Sequence, residues 1–432
     1  MIRVLFVGSI RIGDSSATGK TLEHMLIGNE KISILQYCLN PLLKDDDYSI
    51  LPTVYAKSSD SYINYLIYKI HRSGGIPTNE GINYDSRRKK KHILSKLKHS
   101  VLSIQDMTWN RINSKSIEEL TRFRPDVIYT LGGGIAVSKV CLKLAKRFNI
   151  PILLHSMDDH VHTRYCLNNV LDRIAQKQYR DVTRRIFDTS SCGIAIGPKM
   201  KDAYESEFGV YHYVAMNCVD SLHNKSSNAL HSPKIIIYSG GVHGGRDEIL
   251  RKFASIMKSP PFNEQYCLEI FTNTKGMKAL KDLGGDNISV SGYVPECEIF
   301  DNLSRASFLL HVESSDEKYI EYFGLSMSTK IPEYLSTGIP IIAIGDQRIG
   351  TINYLADNKV AIVSENVTNV GELLLSFSEE AWINMSKEAL KLASRNHITN
   401  KVQETIVKAF LCSIDKKSYY KREIKSNQFA DK

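Results

Sequence analysis

Short, almost wholly apolar runs recur along this chain, each followed by a polar or glycine-bearing loop. Ile2 to Val7 is the first run. Asp126 to Leu131, Pro151 to Leu154, Cys192 to Ile196 and Val210 to Met216 continue the series. A second series begins with Lys234 to Ser239. It runs on through Cys267 to Phe271, Ile288 to Ser291, Phe308 to Val312, Ile339 to Ile344 and Val360 to Val363. Runs this short and this continuously apolar read as strands of a parallel sheet buried on both faces. Helical spacing appears between them, at Leu22, Met25 and Leu26 and again at Val137, Val140 and Leu144. Ser116 to Glu119 has the form of a capping box, and Pro125 stops the helix it opens. Helices are also predicted over Glu298 to Leu303 and, near the end, over roughly 379 to 394 and 399 to 413.

This alternation predicts an α/β protein with two doubly wound parallel sheets. The polar stretch 221–233 reads as a linker between domains 1–220 and 234–395, with a closing helix and a loose tail over 396–432. The most informative segment is Ser328-Thr329-Lys330-Ile331-Pro332-Glu333-Tyr334, ahead of Gly338 and Pro340. Ser328 or Thr329 is the expected N-cap, Pro332 sits in the first turn, and Gly338 ends the helix. The tip of such a helix points at the carboxyl end of the sheet, where α/β folds bind ligands. Its amides and Lys330 suit a phosphate, and Glu333, three residues on, suits the vicinal hydroxyls of a ribose. A surface Lys–Glu pair on an ordinary helix is the competing reading of the isolated segment.

The 432 residues provide ample core material, with 42% hydrophobic and 24% charged positions. The eight cysteines form no CxxC or other close pair, so neither a zinc site nor a redox motif is indicated. No apolar run approaches a membrane span, and the N-terminal run is a strand pattern rather than a signal peptide. These features predict a cytoplasmic protein. The formal charge of +9 is unevenly placed: Arg87, Arg88, Lys89, Lys90, Lys91, Lys96 and Lys98 come without an acid among them. Apolar residues at helical spacing inside 87–102 predict a helix lying on an anionic membrane surface, on the inner face of the plasma membrane; a solvated basic helix is the alternative. A nucleic-acid role has no binding module behind it.

Three motifs compete for attention without completing their patterns. Gly13 to Thr21 looks like a P-loop, but five residues rather than four separate Gly13 from Gly19-Lys20-Thr21. Gly132-Gly133-Gly134 follows a strand but lacks the third fingerprint glycine of a dinucleotide site. Asp45-Asp46-Asp47 contains an Asp-x-Asp without convincing neighbours and reads as an acidic turn. A fourth cluster, His155-Ser-Met-Asp158-Asp159-His160, ends a buried strand where chemistry is expected.

The segment from Lys330 to Pro340 resembles the donor-binding "SK-x-x-EY-x-x-x-G-x-P" element of GT-B glycosyltransferases of the large retaining family 4. Glu321-Tyr322-Phe323-Gly324-Leu325 is similar to that family's "E-x-F-G-L", although Glu321 and Glu333 stand further apart than the usual pair. Pro151 to Ser156 resembles the strand end whose His, here His155, lines the sugar-transfer site, with Asp158 and Asp159 as a "DD" variant. Asn217 to Asp220 is similar to the "NGVD" that closes the first domain.

The resemblance implies the GT-B fold, two Rossmann-like domains facing an interdomain cleft, with the last helix crossing back to the first domain. It implies Glu333 on the donor ribose, and Lys330 with the Ser328 and Thr329 region on the diphosphate. Gly241 and Arg246 stand where the family has a glycine loop and its phosphate-binding cations; that loop's usual Arg and Lys are absent, and Arg246, then His243, are the substitutes. Val294 would hold the base through its backbone, and Gly19 and Lys20 would face donor phosphate or acceptor, with Glu321 on the sugar side. The implied activity is retaining transfer from a nucleotide-diphosphate sugar to a saccharide or lipid-linked acceptor in surface polysaccharide assembly, with no cofactor and no metal. A sugar-nucleotide 2-epimerase of the same fold and a non-catalytic membrane-associated scaffold are the alternatives.

Overall fold

The computed structural model describes residues 1–40, 49–56, 103–104, 106–108, 111–165, 170–224 and 232–415. The acidic turn expected at Asp45 to Asp47 and the basic membrane helix expected over 87–102 lie outside the described residues. Two compact units are present. One comprises residues 1–196, 200–215 and 403 onward, and the other residues 197–199 and 216–402.

The first unit holds a seven-stranded sheet. Its strands are β1 (Ile2–Gly8), β2 (Ile32–Cys38), β3 (Thr53–Tyr55), β4 (Val127–Thr130), β5 (Ile152–Ser156), β6 (Cys192–Ala195) and β7 (Tyr211–Val214). They lie in the order β3-β2-β1-β4-β5-β6-β7, and every pairing is parallel. The second unit holds β8 (Lys234–Ser239), β9 (Tyr266–Phe271), β10 (Ile288–Ser291), β11 (Phe308–Val312), β12 (Ile341–Ile344) and β13 (Ala361–Ser364), in the order β10-β9-β8-β11-β12-β13, again all parallel. Each order reverses direction once, between β1 and β4 and between β8 and β11. Those are the topological switch points at which open α/β sheets bind ligands.

The central strands are buried residue by residue, as their continuous apolar runs require: β4, β5, β11 and β12 have no exposed position. The second sheet's core gathers Tyr238, Phe253, Leu268, Ile270, Phe308, Leu310 and Ile342. Trp382 closes its edge by donating from Nε1 to the Ser307 carbonyl at 2.8 Å. The helix Thr399–Ile414 has its residues from Gln403 onward in the first unit, where Phe410 packs on Tyr129 with ring centroids 5.5 Å apart.

Several local expectations need correction. The helix after residue 113 is Ser114–Phe123, and Asn113 rather than Ser116 caps it; Ser116 is buried and gives its amide to Asn113. The first helix begins at Ala17, with Ser16 as N-cap, so Gly19 lies inside the first turn. Strands β2 and β3 and the helix Val170–Phe187 have no counterpart among the predicted elements. In that helix the buried stripe Ala175, Tyr179, Val182 and Ile186 is separated by long charged stretches, which hides its period. No helix among the described residues is long and apolar enough to cross a membrane.

Candidate functional site

At the second switch point, β8 and β11 pair only through Ile236 and Ile237 with Phe308 and Leu309, and beyond that register the two strands part. The Tyr334 hydroxyl fills the base of the gap, accepting from the Ser239 amide at 3.0 Å. Above it the chain turns sharply through Gly240 to Gly245. Gly240 has φ +153° and Gly245 φ +78°, both in the region that favours glycine. A side chain at Gly240 would collide with the Lys330 ammonium, and one at Gly245 with Ser314 and Tyr319. The turn is therefore built to let backbone approach closely from both sides.

Two cations stand in this gap, in different circumstances. Arg246 opens the helix Arg246–Met257 and is clamped in place. Its Nη2 donates to Glu313 Oε1 at 2.8 Å and its Nε to Glu313 Oε2 at 3.0 Å, with the Val312 carbonyl 3.2 Å away. Its guanidinium lies 5.1 Å over the Phe323 ring, and Nη1 faces His243 Nε2 at 3.4 Å. Glu313 is 2% exposed. Although burial alone would raise its carboxyl, Arg246 and then His311 bring it down to about 2. His311, wholly buried, has Nε2 3.3 Å from Glu313 Oε1, and burial holds its imidazole below the usual value.

Lys330 has no carboxylate within ion-pair distance among the described residues. Its ammonium lies 4.5 Å over the Tyr238 ring. Burial, and then the charge of Arg246, pull it down to about 7, against the opposing pull of Glu313 and Glu333. A lysine is thus held beside a second cation in a glycine-walled recess, where its charge would be at home only with an anion present.

The helix carrying Lys330 is Ile331–Thr337, with Lys330 itself at the N-cap and Pro332 in the first turn. Neither Ser328 nor Thr329 caps it. The Ser328 amide is committed to Thr351 Oγ1 at 2.9 Å, the Ile331 amide to the Ser328 carbonyl, and Pro332 has none. Of the expected amide-rich tip, the Ile331 amide is thus engaged within the turn and Pro332 contributes none, and Lys330 is the charged group it presents. Glu333, half-buried, lies one turn on. Gly241 accepts at its carbonyl from the Tyr238 hydroxyl at 2.6 Å. Val294 is buried in the loop after β10. Glu321 is not brought to the recess. On the helix Glu317–Phe323, Tyr319 and Phe323 face the Gly244–Gly245 turn, so Glu321, two residues from each, is exposed on another side. The acid the fold does deliver is Glu313. Its sequence signal was its place directly after the apolar run Phe308 to Val312, at the end of a strand.

The first unit's candidates end differently. His155 does not line an accessible surface: it is wholly buried on β5, its Nδ1 2.6 Å from the Tyr129 hydroxyl, and burial pulls its imidazole down to about 3. Asp159 is also buried, accepting from the Tyr204 hydroxyl at 3.0 Å and facing His162 Nδ1 at 2.7 Å. That imidazole reaches Glu207 with its other nitrogen at 2.8 Å, so the pair is a brace between helices rather than a free acid and base. Asp158 is exposed. In the first loop Asp14 takes the Arg11 and Ser16 amides, each at 3.0 Å, and Ser16 Oγ takes the Gly19 amide. An acid of the chain thus fills the turn where a phosphate would sit in a P-loop, which adds to the wrong spacing. Lys20 is exposed on that first turn. Among the described residues no three of His, Cys, Asp and Glu converge as metal ligands would.

Residues 251–408 match the family described as "Glucosyltransferase 3-like, C-terminal domain". No curated protein matches the chain. Its structure is similar to sucrose-phosphate synthase from Thermosynechococcus elongatus, with TM-score 0.60 and 11% identity over 94% of this chain and 98% of that one. It is similar to the E. coli structure titled trehalose-6-phosphate bound with UDP-2-fluoro glucose, with TM-score 0.59 and 9% identity over 94% and 98%. It is also similar to α,α-trehalose 6-phosphate synthase from Burkholderia multivorans, with TM-score 0.57 and 11% identity over 95% and 98%. Two parallel sheets of Rossmann-like order and these likenesses give the chain the GT-B fold, with a C-terminal unit similar to the glucosyltransferase 3-like domain.

Proposed function

We propose that the chain is a retaining glycosyltransferase that draws a sugar from a nucleoside-diphosphate donor held by its C-terminal unit. The observation that carries this reading is Lys330: a half-buried ammonium without a carboxylate partner among the described residues, against Gly240 at the β8–β11 switch point. The likeness of the fold to a structure bound with a UDP-sugar analogue supports it.

In this reading the bond between the anomeric carbon and the diphosphate oxygen breaks, and its electron pair goes to the diphosphate. Lys330 stabilises the charge that grows there. Glu313 keeps Arg246 rigid, so that its remaining N–H groups and its field reach the same phosphates without reorganisation. Glu333 accepts from the ribose hydroxyls. The acceptor hydroxyl bonds to the same face of the anomeric carbon and passes its proton to the leaving phosphate, so no side-chain base is required. In this reading the acceptor is a saccharide or lipid-linked saccharide of surface polysaccharide assembly, and the first unit would carry it.

The test is thermal stabilisation by a panel of nucleoside diphosphates. A ligand at a hundred times its Kd should stabilise the native chain by about 2.7 kcal/mol. Lys330→Ala should weaken the best ligand at least about tenfold, and Glu333→Ala should weaken the nucleotide but not inorganic pyrophosphate. Unchanged binding in both variants would sink the assignment.

A further inference from the structure

The first sheet's strand order has a consequence for charge. With right-handed crossovers, the connections β1 to β2 and β2 to β3 cover one face of the sheet. Those from β3 onward run the other way and cover the opposite face. The helices Ser114–Phe123, Ile135–Phe148 and Val170–Phe187 therefore lie side by side on that second face. Side-chain positions agree. Arg147 borders an open recess with Ile117, Arg122 and Arg124, which joins the first two helices. Lys139 feels the charges of both Lys143 and Arg185, which joins the second and third.

Residues 114–124, 135–148 and 170–187 contain twelve Lys and Arg against four Asp and Glu. That excess nearly equals the formal +9 of the whole chain. The middle helix has no acid at all. One of the four acids, Asp172, is buried and bonded to Ser103 Oγ at 2.9 Å. Lys143, Lys146, Arg147, Arg173, Lys177, Arg184 and Arg185 are all exposed. The charge stops at a defined border, where Arg180 meets Glu207 on the helix Pro198–Phe208.

Apolar exposure gathers at one end of the same face. Val170 is 71% exposed, Ile174 53% and Leu171 37%, all in the first turns of the helix Val170–Phe187. The Ser103–Asp172 bond brings Ile104, 39% exposed, beside them. A cationic plate with a cluster of aliphatic side chains at one end matches an anionic bilayer: the cations meet headgroup phosphates and the aliphatic groups enter the acyl boundary. A nucleic acid or acidic protein would use the cations and leave the aliphatic cluster in water.

We propose that this three-helix face of the first unit docks the protein on an anionic lipid bilayer, with Val170, Leu171 and Ile174 as the inserted group. None of its residues belongs to the basic stretch 87–102, and it does not rest on the transferase reading. Neither Lys330 nor its recess belongs to it.

Sedimentation of the full chain with vesicles tests the proposal, using phosphatidylcholine alone and phosphatidylcholine mixed with phosphatidylglycerol. Binding is expected to the mixed vesicles only and to fall with salt. The triple variant Lys146→Glu, Lys177→Glu, Arg184→Glu should bind at least about tenfold more weakly, since each basic residue near the surface adds appreciably. Val170→Ser with Ile174→Ser should weaken binding as well, with no change in salt dependence. All these positions are exposed, and unchanged unfolding curves and unchanged protection by a nucleoside diphosphate would show that the fold and the Lys330 recess survive. Absence of binding to mixed vesicles at low salt overturns the proposal. So does a charge variant that binds like the parent. Loss on charge reversal with no effect of the serine variants, together with equal competition by RNA, would mark the face as a polyanion site and overturn the bilayer assignment.

Discussion

The two units share a strand order and differ in what fills the equivalent place. At the β1–β4 switch point the chain satisfies itself. Thr130 Oγ1 donates to the Val7 carbonyl at 2.8 Å, Asp14 occupies the first loop, and Asp106 takes the Ile135 and Ala136 amides at 3.0 Å each after the three glycines. At the β8–β11 switch point the one buried acid, Glu313, is spent on Arg246, and Lys330 is left over. The same topology therefore gives one crevice filled by the chain's own groups and one that holds a lysine with no carboxylate partner among the described residues. Rossmann-like order marks where a ligand can bind, and the side chains decide whether that place is already occupied.

The largest effect is expected from breaking the pair that separates the two cations. Glu313→Ala leaves Arg246 buried and uncompensated and should cost roughly 3–5 kcal/mol of stability, readable by urea unfolding. A cost below about 1 kcal/mol would mean that Arg246 is solvated and the two crevices are less different than described.

Lys330→Met should act in the opposite direction on the free protein. It removes a cation that has no carboxylate partner among the described residues, so the free chain should gain stability while nucleoside-diphosphate protection is lost. The pH dependence gives the sign independently. Between about 7 and the ordinary lysine range the unfolded chain keeps a proton on Lys330 that the native chain has released. Unfolding free energy should therefore rise with pH through that window, by at most about 1.4 kcal/mol per pH unit, and the full cost should be present below it. The difference between parent and Lys330→Met isolates this slope, and equal slopes would remove the claim of a strained ammonium.

A smaller effect is expected in the first unit. Asp106→Ala frees two amides at the start of the helix Ile135–Phe148 and should cost about 1–2 kcal/mol. If an internal acid is what closes that crevice, phosphate or sulfate should stabilise Asp106→Ala more than the parent. An equal response would show that the crevice is closed by shape instead.

The smallest is a pH effect at His162, half-exposed between Asp159 and Glu207, with Asp159 the main cause of its raised value. Its stabilisation is full below the unfolded histidine value and fades as pH rises through the folded one. His162→Gln should remove that dependence from the first unit and leave donor protection by the second unchanged.

Much of this was legible from local pattern. Buried parallel strands announce themselves as continuous apolar runs, which is how β1 and β4 to β13 could be placed. Strand β2 was not, because Ser33 and Gln36 interrupt Ile32–Cys38. The helix over Lys330 and Glu333 was readable, since its proline, its closing glycine and the i,i+3 spacing all lie within a few residues. Its cap was not: Lys330 holds the N-cap position, and the Ser328 amide is drawn to Thr351 Oγ1, 23 residues away in sequence.

What the sequence by itself determined is the succession of strands and helices and the presence of a cation and an acid on one short helix, because those depend on neighbours along the chain. Only the tertiary structure decided which charges are left over. Arg246 and Glu313 are 67 residues apart, and they meet because β8 and β11 are adjacent in the sheet. His155 was placed where chemistry was expected, yet it is sealed beneath Tyr129 and the helix that returns at residue 403. Whether a polar side chain is a binding group or a satisfied part of the core depends on what the fold packs against it, and that partner comes from distant sequence.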